Sequence, residues 1–206
     1  MQRKSGHHLV EAFLQNVEAA ADLLTDNEAI KAIPVVGTAV KLCQGLDDVR
    51  AKVLAAKLEA FISEPHLQSP AARKKIKRKL ETASEEFASV GETLFLVLER
   101  LIDMDKPEVL AKVFIAYLDD QIAQSELKRL AQAIDLAFGE DLQAFLESDQ
   151  LHLHDETKPW MSLLEPSGLT SSGVGRSPPG HARTHRKVTQ LGHSLWKAWR
   201  HVPHDA

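Results

Sequence analysis

"GLTSSGVGRSPPGHARTHRKVTQLGHSLWKAW", residues 168–199, decides the fold, because it is where a chain that otherwise reads as helix changes its texture. Its content of Ser, Gly and Pro suggests a polar tail. Its order says otherwise: Gly168–Leu169, a loop carrying Arg176, Pro178, Pro179 and Gly180, a short "RKVT" strand signal, and then a helix opened by Thr189 as N-cap with Gly192 and Leu195 inside it. Turn residues followed by a β-branched run and a capped helix predict ordered structure, with a tip at the prolines.

Upstream of this stretch the apolar positions recur every three or four residues. They predict helices over His8–Leu24 and Pro34–Ile62, with Val53, Leu54, Leu58 and Phe61 inward and Lys57 on the polar side of the second. "SPAARKKIKRKLETAS" starts a further helix, with Ser69 as N-cap and Pro70 in the first position. From Ser84, Phe87, Val90, Leu94, Val97, Leu98 and Leu101 form the strongest stripe, so this helix is expected at the centre. "DKPEVLAKVFIAYLDDQI" follows, with Asp105 as N-cap and Leu110, Val113, Phe114 and Leu118 inward. "SELKRLAQAIDLAF" keeps Leu127, Leu130, Ala131, Ile134 and Phe138 in register, Gly139 is the expected stop, and "EDLQAFLES" makes a last short helix. The fold class expected is mainly α: an antiparallel helical bundle over 1–150 and a small segment with a basic loop over 151–206.

Composition sets the outer bounds. The 206 residues are 44% hydrophobic and 26% charged, with a net charge of −4, as in ordinary folded chains, so attraction to nucleic acid or lipid has to come from a local patch. A single cysteine, Cys43, excludes an intramolecular disulfide framework and fits a reducing compartment; the cytoplasm is expected. The N-terminus lacks the apolar core of a signal peptide, and no apolar run approaches the roughly 20 residues that span a bilayer.

No motif completes a catalytic or cofactor site, and the chain is read as non-enzymatic, with no cofactor, no metal and no small-molecule substrate. His152 and His154 beside Asp155 supply too few ligands for a metal and read as a short strand with solvent-facing imidazoles. Cys43 lies on an apolar helix face, and no GxSxG, GxGxxG or P-loop spacing occurs. Adjacent carboxylates such as Asp47 with Asp48 point in different directions on a helix.

Two stretches stand out as contact surfaces. Arg73, Lys74, Lys75, Lys77, Arg78 and Lys79 place six cations within seven residues, with Ile76 and Leu80 at the spacing that would dock this helix on the core. Such a run is ordinarily a solvated face; its functional reading is contact with phosphates or anionic headgroups, led by Arg73, Lys74, Lys77 and Arg78. "AIKAIPVVGTAVKL" is apolar from Ala32 to Val40 between two lysines. About nine residues of helix reach only half a hydrocarbon core, which leaves burial, or peripheral membrane or partner contact through Ile33, Val35, Val36 and Val40.

Two resemblances follow from these residues. "IPVVGTAVKL", "LDDVRAKVLAAKLEAFI" and "DKPEVLAKVFIAYLDDQIAQSELKRLAQAID" together resemble an uncharacterised family of small bacterial helical proteins, over residues 25–145. That resemblance implies a bacterial origin and a helical body, and no activity. Residues 159–199 resemble the C-terminal half of a winged helix, in which a helix ends at Gly-Leu, a basic loop joins two strands, and Thr-x-x-Gly-x-x-Leu closes the domain. It implies a positive surface of Arg176, Arg183, Arg186, Lys187, Lys197 and Arg200, able to meet nucleic-acid phosphates or a protein partner. The helix before Gly168 departs from a DNA reader: it offers Trp160, Met161 and Glu165 where base readout uses Arg, Asn, Gln or Lys. The expected function is therefore an interaction or regulatory module working through helical and wing surfaces, with a protein partner or self-association; DNA binding by the basic wing and membrane association through residues 29–46 are the alternatives.

Overall fold

The computed structural model describes residues 49–149, 151, 158–175 and 183–201. The expectations for His8–Leu24, for Ile33, Val35, Val36 and Val40, for Cys43, Asp47 and Asp48, for His152, His154 and Asp155, and for Arg176 lie outside the described residues.

The described chain is mainly helical. Its elements are α1 (Val49–Ile62), α2 (Pro65–Gln68), α3 (Pro70–Thr82), α4 (Ser84–Arg100), α5 (Lys106–Leu118), α6 (Gln124–Leu136), α7 (Gly139–Leu146), α8 (Trp160–Leu163), β1 (Thr170–Gly175), β2 (Arg183–Val188) and α9 (Gln190–His201). Among these residues no helix is long and apolar enough to cross a membrane. Two compact units divide the chain, one ending at Ala111 and the other beginning at Lys112, so the boundary falls inside α5.

In the first unit, α4 packs on α1 and α3. Ser69 caps α3 as its sequence predicts, accepting from the Ala72 N–H at 3.1 Å, with Pro70 in the first turn. α3 docks through Ala72 and Ile76, both buried, whereas Leu80, expected to share that ridge, lies in the last turn before the helix ends at Thr82 and is 37% exposed. On α4 the predicted stripe of Phe87, Val90, Leu94, Val97, Leu98 and Leu101 is buried.

Lys57 departs from its expected polar face. It is buried, and its ammonium donates to the Glu99 carbonyl at 2.9 Å in the last turn of α4. A helix end leaves its last carbonyls without helical donors and carries partial negative charge, and Lys57 supplies a cation to that end. Burial holds its ammonium below the ordinary lysine range, partly opposed by the Glu99 carboxylate.

Among the described helices the most thoroughly buried is α5, not α4: every residue from Val109 to Leu118 is buried, Lys112 among them. A one-sided stripe marks a helix with a solvent face, while an apolar residue on every side marks a helix enclosed all round. α5 ends in an Asp120 of positive φ (56°), with the Gln121 N–H reaching back to Ala116 O at 2.9 Å, the closure a left-handed residue gives a helix C-terminus.

After α6 the chain corrects two expectations. Gly139 opens α7 instead of closing α6, and Phe138, predicted inward, is 60% exposed. The cause is local: α6 ends at Leu136, Ala137 and Phe138 are extended, and the helical register that would have turned Phe138 to the core is lost. Glu140 and Asp141 then sit in the first turn of α7, where carboxylates favour the helix dipole.

Candidate docking surface of the second unit

The second unit is assembled around α8, the β1–β2 pair and α9. α8 is one turn long and turned inward: Trp160, Met161 and Leu164 are buried, and Trp160 meets Phe145 of α7 edge-on at 5.3 Å between centroids. Ser167 donates to Leu164 O at 2.6 Å, and Gly168 follows with a φ of 76°, a conformation that L side chains rarely adopt. That turn delivers Leu169, fully buried, to the start of β1.

β1 and β2 are antiparallel, in a register that pairs Thr170 with Val188, Ser172 with Arg186 and Gly175 with Arg183. The strands extend further than "RKVT" alone suggested: residues 173–175 and 183–185, expected in the loop, pair with one another. Thr189 locks the far end. Its N–H donates to Leu169 O at 2.9 Å, its hydroxyl to Gly168 O at 2.7 Å, and the same hydroxyl accepts from the Gly192 N–H at 3.1 Å as the N-cap of α9. Gly192 permits this closeness, since a Cβ there would lie 2.3 Å from Leu169 O and 2.6 Å from Val188 Cγ1.

Glu165 clamps the strand pair from the turn. Its carboxylate accepts from the Ser172 N–H at 2.9 Å and from the Ser172 hydroxyl at 2.8 Å, and Arg186 stands nearby. The Ser172 hydroxyl and amide hold the Glu165 carboxyl below the usual carboxylate range. A depressed carboxylate contributes stability above its unfolded pKa and loses that contribution as pH falls through the folded value. We expect the Ser172 amide to lose hydrogen-exchange protection on acidification through the carboxylate range, and Glu165→Gln to remove that dependence; identical acid profiles for the two proteins would refute it.

Of the residues predicted for the wing, adjacent Arg186 and Lys187 divide between the two faces of β2. Arg186 sits across from Ser172 on the Glu165 side with its Nε buried, while Lys187 is exposed. Arg183 opens β2 opposite Gly175. Of the other basic set, Arg73, Lys74, Lys77 and Arg78 are exposed on α3 in the first unit.

α9 contributes the features that sequence reading missed. Leu195, Ala198 and Trp199 are buried, and the ammonium of buried Lys112 stands 3.9 Å over the Trp199 ring. Such a cation–π contact is worth about 2 kcal/mol when desolvated. Trp196 donates its indole N–H to Ser148 O at 3.0 Å, and Arg200 donates to the same carbonyl at 2.9 Å while lying 4.3 Å over the Trp196 ring. His201 closes the helix on Asp119, Nε2 to Oδ2 2.9 Å.

Beside α9 runs a groove of about 430 Å³. Ala116, Ile122, Trp196 and Ala198 give it apolar surface, and Gln121 and Glu126, together with Ser194, Lys197, Arg200 and His201 of α9, give it polar surface. Glu126 also borders an adjoining hollow of about 280 Å³ with Arg129 and Gln190. Ser194 and His201 both line the groove, but they stand seven residues, about 10 Å, apart along α9, too far for a nucleophile and its base. Among the described residues no group of three or more His, Cys, Asp or Glu is arranged to hold a metal ion.

Comparison of the chain with known protein families, with curated proteins and with solved structures gives no match.

Proposed function

We propose that the chain is a non-enzymatic interaction protein of the cytoplasm, a small bacterial helical bundle with a winged-helix-like end, whose second unit docks a segment of a protein partner in the groove beside α9. The observation that carries this reading is the inward turn of α8. The element that would offer side chains to bases in a DNA-reading winged helix gives Trp160, Met161 and Leu164 to the core, and Glu165 to Ser172. What the unit offers outward instead is a groove that sets Ile122 and Trp196 among charged and polar side chains, a mixture that suits a segment of a protein partner.

DNA contact through Arg176, Arg183, Arg186 and Lys187 draws less support, since Arg186 is on the side of the strand pair that carries Glu165. The membrane reading rests on residues 29–46, which lie outside the described residues.

Affinity purification of the tagged full-length protein, with and without nuclease, tests the proposal. A defined protein partner is expected to survive nuclease and to be lost from the Ile122→Glu/Lys197→Glu variant, provided that variant melts like the parent. Retention of the same partner by the variant, loss of every partner on nuclease treatment, or measurable turnover of a nucleotide, peptide or ester would overturn it.

A further inference from the structure

The groove beside α9 and the hollow that adjoins it hold their charges unequally. Among the residues that line the two, Arg129, Lys197 and Arg200 are the cations and Glu126 is the carboxylate, in a chain whose net charge is −4. The folded unit engages some of the lining groups itself. Arg200 donates to Ser148 O at 2.9 Å, lies over the Trp196 ring and reaches Asp149 at 4.0 Å, and His201 meets Asp119 at 2.9 Å. Arg129 and Lys197 differ: both are exposed, and neither side chain has a hydrogen-bond or ion-pair partner among the described residues. A ligand carboxylate therefore meets them without displacing an internal partner. Ile122 and Trp196 lie half-buried in the same groove.

Resting on the reading that this groove docks a segment of a protein partner, we propose that the segment is acidic. An apolar side chain of the segment seats against Ile122 and Trp196, and carboxylates beside it reach Lys197 and Arg129. Ser194 and Gln190 offer uncharged hydrogen-bonding groups to its backbone. A nucleic acid is the poorer occupant. It carries a negative charge at every phosphate, and Glu126 borders both hollows with no cation paired to it among the described residues. A peptide spaces its carboxylates and can set amide N–H groups against Glu126 instead.

Panning a displayed library of random peptides on the full-length protein, and on its Arg129→Glu/Lys197→Glu variant, tests the proposal. The parent is expected to select sequences that combine Asp or Glu with an apolar residue, and the variant to select Lys or Arg in place of the acids. In fluorescence anisotropy at low salt the selected acidic peptides should bind the parent at least ~10-fold more tightly than copies with Asn and Gln for Asp and Glu, a difference that added salt diminishes. Arg129→Gln/Lys197→Gln is expected to abolish that difference. Circular dichroism checks that each variant folds, and the glutamine variant carries the test if the charge reversal does not fold. Selection of neutral or basic peptides by the parent, with binding lost in Ile122→Glu/Lys197→Glu, would overturn the acidic occupant and leave the docking groove standing. Selection of no peptide that depends on the groove would overturn both. Acidic preference retained in a folded Arg129→Gln/Lys197→Gln protein would also overturn the proposal, as would a labelled single-stranded DNA that binds the parent as tightly as the acidic peptides and is lost with them in that variant.

Discussion

Gly192→Ala is expected to destabilise the second unit by about 2–3 kcal/mol, even though alanine is the better helix former by ~1 kcal/mol. The opposition is steric. The new methyl carbon would stand 2.3 Å from Leu169 O and 2.6 Å from Val188 Cγ1, and the first of these is a backbone atom that cannot swing aside. Moving it disturbs Leu169 O as the acceptor of the Thr189 N–H, and with it the residue that caps α9. For a unit of this size the melting midpoint should fall by about 10 °C or more, read by circular dichroism. Gly168→Ala makes the contrast: its φ of 76° is unfavourable to alanine, but the nearest atom to an added Cβ is 4.0 Å away, so only the conformational cost of about 1 kcal/mol applies. A Gly192→Ala protein as stable as the parent would mean that α9 does not pack against Leu169 as described.

Much of this was legible because the signals were local. Ser69 and Thr189 cap their helices as their positions predict, since a cap needs only a hydroxyl and an N–H two or three residues on. The stripe on α4 is buried as its period requires. The stripe measures one-sidedness and not total burial, which among the described helices is greatest in α5. Phe138 followed the period but not the chain, which leaves helical geometry two residues earlier, at Leu136. The remaining features join residues far apart in sequence. The contacts of Lys57 with Glu99 and of Lys112 with Trp199, and the groove that brings Gln121 and Glu126 together with Lys197 and Arg200, exist only once the helices pack. A lysine between apolar residues carries no mark in sequence of whether its ammonium reaches solvent, a carbonyl or an indole.

Trp160→Ala is expected to cost about 3–5 kcal/mol, the largest effect of any substitution in α8. Trp160 is 7% exposed, and its ring edge contact with Phe145 adds about 0.5–1.5 kcal/mol to the burial of the indole itself. The void would open beside Met161 and Leu164, which are buried in the same turn and too few to collapse into it. Leu163→Ala, in the same turn but 55% exposed, should stay within about 0.5 kcal/mol of the parent by denaturant unfolding. The pair of measurements separates two roles for α8. A reading helix carries its important side chains outward, so replacing Trp160 would leave stability nearly unchanged and alter nucleic-acid binding alone. A core helix gives the opposite pattern: collapse of the second unit, with Leu163 neutral. Equal, small effects at both positions would return α8 to the surface and remove the principal support for a protein partner over DNA in this unit.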